Sequence, residues 1–138
     1  MNLPALQAFM HERRIDAWLV HDFRLSNAVL ARLLPPPAGI HRWTTRRVDL
    51  CIPAAGVPTV LTHHIDAAQF APHAAAWGVR HEAYLTWREY QAKVAAMIAG
   101  APRVAMEYSP GGALPAMAVA DAGTVEFVRA PGAEGVSS

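Results

Sequence analysis

Cysteine is almost missing from this chain of 138 residues, Cys51 being the single one. One thiol excludes an intrachain disulfide framework and suits a reducing compartment, so the expected location is cytoplasmic. Lysine is reduced to Lys93 against eleven arginines, and nothing functional follows from that ratio. An excess of one charge is lacking as well: twelve basic and eleven acidic residues leave a net charge of +1. General nucleic-acid and membrane-surface binders carry a larger basic excess, so neither is an expected partner. The longest apolar runs stop well short of the ~20 residues that a membrane span needs. Met1 leads into a polar, periodic segment without the basic-then-apolar order of a secretory leader. HExxH, CxxC, GxGxxG and GxxxxGKS/T are all absent. What the chain does have is 53% hydrophobic and 17% charged residues, ample for the core of one compact domain.

Helical and strand-like segments alternate. Asn2 caps a first helix with Pro4 in its opening turn, Leu3, Leu6 and Met10 share a face that Phe9 widens, and Arg13–Arg14 close the C-terminal end. Ala17 to Val20 reads as a short buried strand ending at the polar pair His21-Asp22. A short helix from Ser26 to Leu34 is stopped by Pro35-Pro36-Pro37. After a long loop over 35–47, Val48 to Ile52 and Thr59 to Leu61 flank Pro53-Ala54-Ala55-Gly56 as a β-hairpin. Asp66-x-x-Gln69 has the pattern of a capping box for a helix that Pro72 breaks. Gly78 to Glu82 reads as a strand. Thr86-x-x-Glu89 is a second capping box, followed by Tyr90, Val94, Met97 and Ile98 at helical spacing and by Gly100 and Pro102. Arg103 to Glu107 reads as a strand, Ala113 to Ala122 as a helix and Thr124 to Val128 as a final strand. Helix and strand alternating after the hairpin implies parallel crossovers with helices on both faces of a sheet, an α/β fold. Pro131 to Gly135 has linker composition, and the terminal serines leave two readings open, a frayed end or the approach to a further helix.

The side chains that carry chemistry are scattered. His63, His64 and Asp66 are close in sequence, but neighbouring strand residues point to opposite faces, so the reading that wins is solvated histidines at a strand end. Cys51 sits in a predicted strand, where a thiol is a small inert hydrophobe. Ser109-Pro110-Gly111-Gly112 lies where an α/β protein can cradle a phosphate, yet without a partner lysine and with Pro110 in place of a donor it reads as a turn. Glu107 and Glu126 end strands and are expected in solvent. Trp18, Trp77 and Trp87 are expected to fill the core. The densest polar cluster is His41-Arg42-Trp43-Thr44-Thr45-Arg46-Arg47. Three guanidiniums and an indole there either grip an anion or another chain, or pair with surface carboxylates as a solvated loop. No complete catalytic set is visible.

Segment order and several local strings resemble the N-terminal domain of the creatinase/prolidase/aminopeptidase P family. They are Leu6 to Met10 through Ile15-Asp16-Ala17-Trp18-Leu19-Val20, then Asp22-Phe23-Arg24-Leu25-Ser26-Asn27, then the hairpin Asp49 to Pro58. The strand Val104 to Pro110, Asp121 to Val128 and Val136-Ser137-Ser138 complete the set. The resemblance implies a three-layer α/β/α domain with a mixed, roughly six-stranded sheet of ribonuclease H-like type over residues 1–130, and over 131–138 the start of a linker to a catalytic domain. The match is nearest to the Xaa-Pro aminopeptidase branch, and it implies a non-catalytic role in a larger Xaa-Pro aminopeptidase/dipeptidase-like metallohydrolase: packing on its own catalytic domain and on a neighbouring copy in a homodimer or higher homo-oligomer, and shaping access of a proline-containing peptide. No cofactor is implied for these residues. Two divalent metal ions, such as manganese or zinc, are implied for the catalytic domain. By position and chemistry, the residues for substrate access or an interface are Arg24, Asn27, His41, Arg42, Trp43, Arg46 and Arg47. Two rival readings are a stand-alone protein-binding or oligomerisation module, and a domain of a creatinase-like amidinohydrolase. A third is a small anion- or nucleotide-binding protein using Ser109 to Gly112.

Overall fold

In a computed structural model, residues 1–39, 42–106 and 134–137 are described. Helix α1 (Leu3–Glu12) starts where the Asn2 side chain accepts from the Ala5 amide at 3.2 Å. Strand β1 (Ala17–Phe23) and helix α2 (Ala28–Leu33) follow, and then the hairpin of β2 (Arg47–Pro53) and β3 (Thr59–His63). Two 3₁₀ turns, His64–Gln69 and Ala71–His73, lead into the short α3 (Ala74–Trp77) and β4 (Arg80–Tyr84). Between them Gly78 takes φ +74°, a left-handed helix end that glycine reaches without strain. Helix α4 (Trp87–Ile98), β5 (Arg103–Met106) and β6 (Glu134–Ser137) complete the order.

The strands form one mixed sheet in the order β4-β3-β2-β1-β5-β6. β1 and β2 pair antiparallel, as do β2 and β3, whereas β3–β4, β1–β5 and β5–β6 are parallel. Alternation along the strands sends side chains to two cores. Val20, Val48, Leu50, Ile52 and Val60 meet Met10, Leu30, Leu34 and Phe70 on one face. Leu19, Cys51, Leu61, Val104 and Met106 meet Tyr90, Val94 and Ile98 of α4 on the other. Helices therefore cover both faces, as the α/β reading expected. Each of the fully buried aliphatic side chains contributes roughly 1.5–3 kcal/mol of transfer free energy.

Four readings change. β1 runs through His21 and Asp22 to Phe23 instead of stopping at Val20, because His21 lies opposite Asp49 in the ladder and its Nδ1 bonds that carboxylate at 2.8 Å. Asp66 and Gln69 cap no α-helix; the segment is 3₁₀ and His63, not Asp66, accepts from the Ile65 amide. Glu134 and Gly135 are not linker: residues 134–137 are a strand, since an edge place beside β5 gives their backbone groups partners that composition does not reveal. Trp87 is 49% exposed and fills no core. The helix expected over 113–122, the strand over 124–128, Glu107, Glu126 and Ser109 to Gly112 lie outside the described residues.

Candidate functional site

The two ends of the sheet are built differently. At one end Phe23 of β1 pairs with Arg47 of β2, and His63 of β3 pairs with Tyr84 of β4. In this row and just beyond it stand six large apolar side chains that solvent reaches: Phe23, Leu25, Trp43, Ile65, Leu85 and Trp87. Exposure runs from 42% at Phe23 and Leu25 to 67% at Trp43. Scattered exposed hydrophobes need no explanation, but a collar of them at one sheet end is a candidate interaction surface. Arg47 joins its parts, its guanidinium 5.5 Å from the Phe23 ring centroid and 4.8 Å from that of Trp87. Trp87 in turn stacks on Tyr90 at 5.2 Å.

Buried acids hold this collar from beneath. Asp66, 3% exposed, accepts from the Thr45 and Arg46 amides at 3.2 and 3.3 Å. Gln69 grips the same loop through both the amide and the carbonyl of Trp43. Trp43 therefore stands outward on a loop fixed at its backbone, which lowers the entropy lost when a partner arrives. Across from it, Asp22 accepts from Leu25 N at 3.1 Å and Asn27 N at 2.7 Å. Those bonds brace a turn in which Arg24 and Leu25, neither of them glycine, take φ +56° and +64°. Two successive left-handed residues of this kind are strained and persist only when their surroundings fix them. Burial raises the Asp22 pKa, while the two amides and His21 oppose the rise. A third acid, Asp49, bonds His21 Nδ1 at 2.8 Å with both side chains buried. Burial, and after it the nearby charge of Asp49, raises the Tyr90 phenol above its ordinary value.

The residues selected from sequence divide into two groups. Arg24, Trp43 and Arg46 are exposed and belong to the collar, with Arg47 half-buried between its rings. Asn27 and Arg42 are interior. Asn27 caps α2 through the Val29 amide at 2.9 Å and donates to the His21 carbonyl. Arg42 donates to the Leu34 carbonyl at 2.5 Å, with its guanidinium 4.5 Å from the Phe70 and 5.4 Å from the Trp77 ring centroid. Burial lowers its pKa and Asp22 counters the shift. His41 lies outside the described residues. Asp22 and Arg42 both line a cavity of about 230 Å³ walled mainly by Leu25, Ala28, Ala31 and Pro36.

Sequence reasoning missed Asp66, Gln69, Leu85 and Ile65. The first two looked like a helix cap; the others carried no signal except an apolar side chain beside a strand end. Cys51 is buried, with its pKa pushed up to about 12. Among the described residues no three His, Cys, Asp or Glu side chains come together to hold a metal. The buried acids are already committed to amides and to His21, so these residues do not fit a metal pair.

No protein-family model matches the sequence, and no curated protein is similar to it by sequence. Solved structures are similar in fold. A proline dipeptidase from Streptococcus pneumoniae superposes with a TM-score of 0.68 at 14% identity, over 99% of this chain and 90% of that one. The creatinase/prolidase N-terminal domain of an X-Pro dipeptidase from Streptococcus pyogenes gives 0.64 at 9% identity, over 98% and 91%. Dipeptidase PepE from Mycobacterium ulcerans gives 0.59 at 22% identity, over 92% of this chain but 34% of that one. The fold is that of the creatinase/prolidase N-terminal domain, and the chain spans about a third of the length of PepE.

Proposed function

We propose that this chain serves as the non-catalytic N-terminal domain of an Xaa-Pro dipeptidase-like metallohydrolase, packing against a catalytic domain and a second copy and shaping the approach of a proline-containing peptide. The observation that carries this reading is the collar: six exposed apolar side chains at one sheet end, held on a braced turn and a fixed loop. A surface prepared at that cost in strain is suited to contact. The likeness in fold to dipeptidase N-terminal domains favours a hydrolase over an unrelated binding module. In this reading the domain takes in residues 1–130 together with β6, which completes its sheet. The divalent metals and the reaction belong to the catalytic domain, so no catalytic step is assigned to any residue here. Trp43 and Arg46 of the fixed loop, with Arg24 of the braced turn, are the elements that reach toward substrate. The location is cytoplasmic.

The test is hydrolysis of an Xaa-Pro dipeptide by two proteins, the chain alone and the chain extended through its following reading frame. Manganese-dependent cleavage by the longer protein alone is the expected outcome. Cleavage by the shorter one, or by neither, removes the proposal.

A further inference from the structure

The collar is not only apolar; it has a sign. Arg24, Arg46 and Arg88 stand exposed around it, and none of the three has a carboxylate partner among the described residues. Among the described residues, the aspartates at this end are turned inward. Asp22, Asp49 and Asp66 are buried, with bonds to backbone amides and to His21. Glu89 is exposed, but its carboxylate turns back onto the Thr86 amide at 3.3 Å in the α4 capping box. A chain with a net charge of only +1 thus gathers a local basic surface around apolar side chains.

We infer that the collar docks a protein face of opposite character, apolar at its centre and rimmed by carboxylates. The inference rests on reading the collar as an interface and adds the chemistry of what covers it. A second copy presenting the same face is disfavoured, since it would bring Arg24, Arg46 and Arg88 against their own kind. Single-stranded nucleic acid is a poorer occupant than protein. It needs a row of open aromatic planes, but beside the exposed Trp43 the rings of Phe23 and Trp87 both carry the Arg47 guanidinium, Trp87 also stacks on Tyr90, and Leu25, Ile65 and Leu85 offer no plane to a base. Those aliphatic side chains suit the apolar centre of a protein interface, where guanidiniums pair with a carboxylate rim.

The probe is a synthetic amphipathic helix with leucine on one face and glutamate on the other, added to the full chain and followed through the indole N–H signals of its tryptophans. Trp43 and Trp87 are expected to shift in a saturable way, with Trp18 and Trp77 unmoved. The dissociation constant should rise about tenfold between low and moderate salt. The same helix with lysine for glutamate should not bind, and Arg46→Glu with Arg88→Glu should reverse that preference. The inference is overturned by unmoved Trp43 and Trp87 signals or by a charge reversal without effect. It is equally overturned if the lysine helix, oligothymidylate or phosphatidylglycerol vesicles bind as well as the glutamate helix. This readout is independent of peptidase activity, so a failed hydrolysis assay and a failed docking assay are told apart.

Discussion

The end of the sheet opposite the collar closes on itself. Gln7 of α1 donates to the carbonyls of Pro53 and Gly56, both at 2.9 Å, and ties the helix to the hairpin. Asp16 joins the start of β1 to β5 by accepting from Arg103 N at 3.0 Å, while its own carbonyl takes the Ala54 amide at 2.8 Å. Arg80 N reaches the Pro58 carbonyl at 2.9 Å. Polar groups at that end are spent on holding strands together. At the collar end the polar bonds lie one layer deeper, and apolar side chains are left outside. One sheet thus has an end that finishes the fold and an end that offers a surface. The difference lies in which groups face solvent, not in how well the backbone is bonded.

The sharpest way to break that contrast is at the buried pair below the collar. Asp49→Ala leaves His21 without its buried partner and should cost about 3–5 kcal/mol in urea unfolding. A loss under about 1 kcal/mol would mean that the collar's foundation is soft. Next, Asp66→Ala frees the Thr45 and Arg46 amides and should cost about 1–3 kcal/mol. It should also speed proteolysis at 43–46 before the rest of the chain opens. At the closed end Gln7→Ala removes two bonds from a partly buried side chain, and thermal unfolding should register about 1 kcal/mol. The collar's own side chains should matter least to folding. Trp43→Ser and Leu85→Ser are each expected within about 0.5 kcal/mol of the parent, or slightly stabilising. If either matched Gln7→Ala, the two ends would not differ as described.

Acidity should separate the ends by sign. The Asp22 pKa is raised in the folded chain, so its contribution is full below the unfolded value near 3.9 and declines as pH rises through the window above it. Burial lowers the His81 pKa, and Thr62 Oγ1 lies 2.8 Å from its Nε2. Its contribution is full above about 6.5 and declines as pH falls below that value. Both slopes should be shallow, His81 being only half-buried. Urea midpoints measured from pH 4 to 8 should lose the first slope in Asp22→Asn and the second in His81→Gln.

Local signals carried much of the architecture. α4 was legible because the Thr86 cap, Glu89 and the Tyr90, Val94, Ile98 stripe state the start and inner face of a helix of 12 residues. The hairpin was legible from its turn. β1 was cut short because the acceptor that permits a histidine inside a sheet, Asp49, is 28 residues away. The same distance effect hid Asp66, whose carboxylate serves amides about 20 positions back and not its own helix. The Arg/Trp cluster was legible as a cluster, but not its division. Arg42 is drawn inside by Phe70 and Trp77, while Trp43, next to it, is turned out. Only packing separates two such neighbours.

The buried thiol has a practical consequence. Cys51 is the single cysteine, it is enclosed beneath α4, and at neutral pH it stays protonated. A cysteine placed at position 43 or 85 would therefore be the one group in the chain that reacts quickly with maleimide, without removal of the native residue. Crosslinkers or spin labels could be attached to the collar alone, and distances from it to any captured molecule would carry no background from a second site.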